Sequence, residues 1–527
     1  MSSVEFILLF GTIVTIAYAK TIITADVSDN ESFTYIRPSL ADYYDQRERF
    51  IKEEDQRFLG ATLVLTDEER TVNKYLMELK QNELRQGFND CYDFIPARHF
   101  FEMVDKFNQS KLFQLIKMLP KGAVLHAHDM ALGSVDLILK ATYRDHLWQK
   151  GGFDSKEGPN FIFSIQQPDG EGWQRVSDLR NQQTATVYDE KIRSLFGLYC
   201  KDPLNTYKTI DSVWDKFEKM FTSLIPIITF EPVWREYYAD ALKEFYDDGV
   251  LYLEFRGVLP QLYDLDGKIY NPDEVISIYI NETERFKSSH NPFIGAKFIF
   301  APIRFANDSV FEGIFELAKN LHLQYPDFVI GFDLVGQEDR GRSLLEFVPQ
   351  LLNLPDSIHF FFHAGETNWY GMKTDQNLID AVLLGTKRIG HGFALLKHPN
   401  LLKELKRRNI CVEINPVSNQ VLKLVTDYRN HPATFFFSDN YPVVVSSDDP
   451  SFWGASPLSH DFYLAFLGIA SAHHDLRLIK QLALNSIEFS AMEKAEKAIA
   501  RVKFTHSWEK AIKDLALRIN TNSSLPI

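Results

Sequence analysis

Between residues 358 and 450 the chain reads Ile358-His359-Phe360-Phe361-Phe362-His363-Ala364-Gly365-Glu366, then Arg388-Ile389-Gly390-His391-Gly392-Phe393, then Ile410-Cys411-Val412-Glu413-Ile414-Asn415-Pro416, and then Val443-Val444-Val445-Ser446-Ser447-Asp448-Asp449-Pro450. Each is a short apolar run that ends in polar, chemically useful residues. Helix-periodic sequence at 377–384 and 401–408 separates them. The same alternation runs back through the chain, with strand-like runs at 123–129, 250–256, 296–304 and 328–336 and helical stretches at 233–248, 273–286 and 310–322. Near-continuous apolar strands that take turns with helices imply a parallel sheet covered on its outer face. Eight such units are what a closed (β/α)8 TIM-type barrel requires, and barrels of this type carry their chemistry at the C-terminal ends of the strands. A doubly wound open sheet would gather its site near one crossover. Reactive residues end at least five of the runs, which favours the barrel.

The barrel unit is expected over 113–515, with two additions. Residues 20–112 read as a mostly helical N-terminal extension. Residues 145–220 interrupt the first crossover with turn-prone sequence such as Gly151-Gly152 and Pro168-Asp169-Gly170. A connection that long is unusual unless it is functional or a subdomain, so an inserted subdomain near the barrel mouth is expected there.

His126 and His128 flank Ala127 at the end of the first run, and positions i and i+2 of a strand face the same side. His363 ends the fifth run and Asp448 the eighth. Closure makes strands one and eight neighbours and brings strand five across the mouth. Three histidines and a carboxylate form a borderline donor set suited to Zn²⁺, with a position left for water or substrate. The fourth run, Gly331-Phe332-Asp333-Leu334-Val335-Gly336, has no lysine that could bridge a second metal. Glu366 stands three residues beyond His363 and is a candidate proton donor or acceptor. His391, between two glycines, can orient a water and assist its deprotonation. These groups suit hydrolytic attack at an amidine-like carbon, and equally at an amide, ester or phosphotriester; spacing does not choose among them.

Composition narrows the partners. Lys plus Arg number 57 against 71 Asp plus Glu, a formal charge of −14. Such a field discourages a polyanion, and no basic block resembles a nucleic-acid-binding arm. A mostly apolar run over residues 4–17 leads into Ala17-Tyr18-Ala19, too short to span a bilayer but suited to a secretory signal peptide at residues 1–19. Secretion, no transmembrane segment in the mature chain, and glycans at sequons Asn30, Asn108, Asn281, Asn307 and Asn522 are therefore expected. Cys91, Cys200 and Cys411 are too few for a disulfide framework.

Taken together, His126-Ala127-His128-Asp129, Gly331 to Glu338, Phe362 to Thr367, Arg388 to Gly392 and Ser446 to Pro450 resemble the adenosine deaminase family, specifically its secreted branch, the adenosine deaminase-related growth factors. The resemblance covers roughly residues 50–515. It implies Zn²⁺, one per subunit, at His126, His128, His363 and Asp448, with Glu366 as the proton shuttle to purine N1. It further implies His391 as the group that positions and helps deprotonate the water, Asp449 on N7, and Gly336 at N3. Asp129 and Trp214 are implied to hold ribose. The implied reaction converts adenosine or 2′-deoxyadenosine to the inosine product and ammonia. A homodimer built by the N-terminal helices and a cell-surface receptor engaged by the insert are implied as well. Three departures stand out: Cys200 is the only cysteine in the insert, Asn415 replaces a common cysteine, and Ile303-Arg304 replaces a common His-Arg. A growth factor acting mainly through receptor binding, or a deaminase of another adenine derivative, are the competing readings.

Overall fold

The computed structural model describes residues 37–155 and 158–521, so the leader expected at residues 1–19 and the sequons at Asn30 and Asn522 lie outside the described residues. The described residues fall into two units that divide between Glu53 and Glu54. The first carries most of helix Leu40–Asp55, which has no buried residue and exposes Leu40, Tyr43, Tyr44, Phe50 and Ile51.

The second unit contains the barrel. Its strands are β1 (Gly122–Val124), β2 (Val250–Gly257), β3 (Gly295–Phe300), β4 (Val329–Phe332), β5 (His359–Phe360 with His363–Ala364), β6 (Arg388–His391), β7 (Cys411–Ile414) and β8 (Val443–Val445). They pair in parallel and in chain order. The first half of β5 pairs with β4 and the second half with β6, so the ladder changes partner across Phe361-Phe362. The seam between β8 and β1 is joined by two amides. Asp448 N–H donates to His126 O (3.0 Å) and His128 N–H donates to Asp448 O (3.2 Å). Runs rich in Val, Ile and Phe suit strands covered on both sides, and all the strands except the first half of β5 are buried throughout.

Helices pack outside this ring where the apolar periodicity places them, at Glu231–Asp247, Pro272–Ser289, Asp308–Gln324, Asn377–Leu383 and Pro399–Arg408. Their starts are chemically marked. Asn271 and Glu274 form a reciprocal capping box, and Asn307 caps the helix that follows it. Inside the ring, Ile299, Ile330 and Phe361 form a small apolar cluster. The first crossover holds a three-stranded antiparallel sheet of Leu147–Lys150 between Asn160–Phe163 and Trp173–Arg175, followed by helices Val176–Gln182, Ala185–Leu195 and Ile210–Ile228. The last helix runs past residue 220 because its buried stripe continues through Leu224, Ile227 and Ile228. Among the described residues no helix is long and apolar enough to cross a membrane. All three cysteines are free thiols.

Candidate metal centre and substrate cavity

His126 and His128 leave β1, His363 opens the second half of β5, and Asp448 follows β8. Their ligating atoms all lie within 4.8 Å of one another. His126 Nε2 and His128 Nε2 stand 3.2 and 3.0 Å from Asp448 Oδ1. Asp448 reaches inward from a left-handed backbone conformation, φ 61°, uncommon for a non-glycine residue and typical of functional positions.

The outer edges of two of these histidines explain why the inner nitrogens are free. Glu413 Oε2 accepts from His126 Nδ1 (2.7 Å), and Asp333 Oδ2 accepts from His363 Nδ1 (2.6 Å). With Nδ1 protonated, the lone pair of each ring sits on Nε2. His126 Nε2 is buried and has no hydrogen-bond partner. An orphaned buried nitrogen is costly unless something occupies the site. The donor set therefore fits a divalent cation, and carboxylates behind the histidines are the support such sites use.

Those carboxylates rest on buried arginines. Arg256 Nε donates to Asp333 Oδ2 (2.7 Å) and its Nη2 to Glu413 Oε2 (2.7 Å), while its remaining donors reach Leu125 O and Phe361 O at 3.0 Å each. Arg388 links Glu413 to Glu254. Burial alone would raise the carboxyl groups, but Arg256 and Arg388 hold Glu413 well below its ordinary range, and His363 and Arg256 do the same for Asp333. Both stay ionised acceptors. Burial pushes the His363 ring down to about 3, which leaves it neutral as a ligand must be.

Above the centre opens a cavity of about 450 Å³, lined by His128, Asp129, Trp214, Gly336, His363, Glu366, His391, Asp448 and Asp449 among others. His126 lies fully buried beneath it. The ten candidate site residues read from the sequence are thus brought together, nine in the lining and His126 beneath them. Glu366 is forced toward its protonated form by burial, then by Asp448 and Glu338. Asp449 is pushed the same way by burial and by Asp448. Burial raises Asp129 to about 7 although Tyr279 donates to it (3.0 Å). His391 Nε2 stands 3.6 Å from Glu366 Oε1 and 3.8 Å from Asp448 Oδ2. Trp214 reaches the cavity from helix Ile210–Ile228, its ring edge-on to Phe217 (5.2 Å).

Residues that the sequence reading passed over complete the site. Phe217, Phe221 and Ile225 continue the Trp214 stripe along the cavity wall, at helical spacing that the sequence already displays. Glu254 and Arg256, alternate residues of β2, were visible as charges inside an apolar run. Arg304 does not line the cavity; it is buried beneath it, donating to Leu334 O (2.6 Å), and only Ile303 reaches the lining. Among the described residues no lysine or arginine lines the cavity.

A parallel barrel that gathers three histidines and an aspartate at its strand ends, with a buried glutamate held toward its protonated form beside them, defines a metal-dependent hydrolase. Comparison with known proteins makes the class specific. Residues 200–503 match the family described as adenosine deaminase, and residues 19–116 match the adenosine/AMP deaminase N-terminal family. The chain belongs to the adenosine deaminase family. It is 61% identical over 481 residues to an adenosine deaminase of Aedes albopictus, covering 91% of this chain and 90% of that one. It is 37% identical to human adenosine deaminase 2, covering 90% and 94% of the two chains. Among solved structures, the Arabidopsis N6-mAMP deaminase matches with a TM-score of 0.54 at 19% identity, over 74% of this chain and 99% of that one. An adenine deaminase of Arthrobacter aurescens matches with a TM-score of 0.52 at 18% identity, over 74% and 99%. These two likenesses establish the barrel fold.

Proposed function

We propose that the protein is an extracellular, zinc-dependent adenosine deaminase that converts adenosine and 2′-deoxyadenosine to inosine and deoxyinosine with release of ammonia. The observation that carries this reading is the buried Glu366, held toward its protonated form, facing a cavity whose floor is the His126, His128, His363 and Asp448 cluster. Those four residues would hold the ion. When bound, Zn²⁺ supplies a Lewis acid that makes water nucleophilic near neutral pH.

The remaining chemistry belongs to the chain. Glu366 delivers its proton to purine N1, which offsets charge as the ring carbon is attacked. The carboxylate so formed takes the two protons of the attacking water in turn, passing one to the amino group, which departs as ammonia, and keeping the other. His391 orients the attacking water. Asp449, kept protonated, donates to N7, and Gly336 lies against N3 with φ +98°, in a turn where a Cβ would press on Phe305. Asp129 and Trp214 hold the ribose. A lining without lysine or arginine offers a 5′-phosphate no counter-charge and so disfavours it. The substrate is thus a nucleoside rather than a nucleotide.

The secreted growth-factor branch is supported by the leader-like residues 1–19 and by the insert. The exposed apolar side chains of helix Leu40–Asp55 suit burial against a second copy of the chain. The insert is the surface offered to a cell-surface receptor.

Purified, zinc-loaded protein is expected to deaminate adenosine and 2′-deoxyadenosine and to leave AMP nearly untouched. Glu366→Gln is expected to lower kcat by about 10²–10⁴-fold. Conversion of none of the three substrates removes the catalytic reading. Cell signalling that survives in Glu366→Gln assigns a separate binding role to the protein. Recovery from culture medium with Lys20 as the first residue tests the leader.

A further inference from the structure

Which ring nitrogen of His391 carries its proton decides whether the residue gives or takes a hydrogen bond in the reaction. Two residues outside the cavity lining settle it. Ala433 N–H donates to His431 Nδ1 (3.0 Å), and a backbone amide can only donate. His431 is buried, and burial pushes it down to about 3, so the ring is neutral and its one proton lies on Nε2. That N–H donates to Asn419 Oδ1 (2.9 Å). With its oxygen engaged there, Asn419 turns its amide nitrogen to His391 Nδ1 (3.0 Å). Asn415 Nδ2 approaches the same ring nitrogen at 3.4 Å. His391 Nδ1 therefore accepts, and the proton of the neutral ring sits on Nε2, the nitrogen that faces Glu366 and Asp448.

We propose that Asn419 and His431 are positioning residues that hold His391 as its Nε2–H tautomer, so that His391 donates a hydrogen bond to the attacking oxygen and has no lone pair on Nε2 to receive a proton. All three side chains are buried, Asn419 completely. His391 itself sits at φ 61°, followed by Gly392 at φ 54°, a left-handed pair that turns the ring from β6 toward Asn419 on the short helix Pro416–Val421 that follows β7. The kinetic consequence rests on the deaminase reading; the tautomer does not.

Two measurements separate these. Nitrogen-15 spectra of protein labelled at the histidine ring nitrogens, assigned with His391→Gln, report the tautomer without turnover, in metal-free and Zn²⁺-loaded protein. An unprotonated Nδ1 and a protonated Nε2 on His391 are expected; a proton on Nδ1 overturns the proposal. In kinetics, Asn419→Asp places a carboxylate against Nδ1 and draws the proton there. It is expected to lower kcat by about 10²-fold while KM for adenosine stays within about twofold. His431→Leu, which frees the Asn419 amide to rotate, is expected to lower kcat as well. His431→Gln, whose amide offers an N–H toward Asn419 Oδ1, is expected to recover most of that loss. Unchanged kcat in Asn419→Asp, or equal kcat for the Leu and Gln variants, overturns the proposal. If no substrate is turned over, or if a variant fails to fold, the spectrum of the unaltered protein decides alone.

Discussion

Asp333→Asn replaces one oxygen by a nitrogen and is expected to cost the metal site most of its affinity. The new amide has one orientation open to it. Asp333 Oδ1 accepts two backbone amides, Leu334 at 2.7 Å and His363 at 2.8 Å, and neither can turn away. The amide nitrogen must then take the place of Oδ2, facing His363 Nδ1 and Arg256 Nε, which now lie 2.6 and 2.7 Å from that oxygen. Donor meets donor on both sides. His363 relieves the conflict by moving its proton to Nε2, the nitrogen it offers to the ion. Losing the outer partner of a metal-bound histidine costs about 10–100-fold in metal affinity, or about 1.4–2.7 kcal/mol. Because the tautomer and the Arg256 contact are struck together, a loss near about 100-fold is expected. Equilibrium competition for Zn²⁺ between metal-stripped protein and a chromophoric chelator, near neutral pH, reads this directly. Circular dichroism verifies the fold. Zn²⁺ affinity within about threefold of the unaltered protein, in a folded variant, would refute the tautomer reasoning.

Other outcomes follow from the same geometry. A Cβ on Gly257 would overlap the Asp129 carboxylate and press on Phe298, so Gly257→Ala is expected to raise KM for adenosine by about tenfold or more with a smaller effect on kcat; unchanged KM would detach Asp129 from ribose binding. Burial raises Glu338 to about 7 from the ordinary 4.5, so between those values the folded chain holds a proton that the unfolded chain releases. Stability then falls as pH rises through that window. Glu338→Gln removes this term, so the drop in Tm from pH 5 to pH 8 is expected to shrink by at least roughly 2 °C in thermal scans of the variant; a larger drop contradicts the assignment. Stripping the metal is expected to lower Tm in proportion to the binding free energy lost, and re-addition of Zn²⁺ to restore it.

The barrel and most of its site were legible because each strand announces itself twice, by an apolar run and by the reactive residue that ends it. His363 at the end of β5 and Asp448 beyond β8 were readable for that reason. Glu366, His391 and Trp214 followed from position and resemblance. What remained hidden was chemistry inside apolar runs. Glu254, Arg256 and Glu413 sit where strand patterning expects apolar side chains, and their meaning depends on partners far away in the chain. Asn419 and His431 look like ordinary polar residues after β7; only their geometry reveals a hydrogen-bond series. The insert was legible as an interruption but not as a sheet and helices, because its short strands alternate weakly and its glycines punctuate them. Its last helix was recoverable, since Val213, Phe217, Met220 and Leu224 keep a helical period.

The seam between β1 and β8 has a consequence for how long the folded state lasts. His126, His128 and Asp448 exchange the backbone hydrogen bonds that close the ring, and the same residues converge on the ion site. An ion held there would fasten the first and last staves together, much as a clasp closes a bracelet. This chain has three free thiols and no covalent tie across that joint. Resistance to unfolding would then be set by the rate of ion escape, and a strong chelator would act as a slow proteolysis sensitiser before any change in average shape.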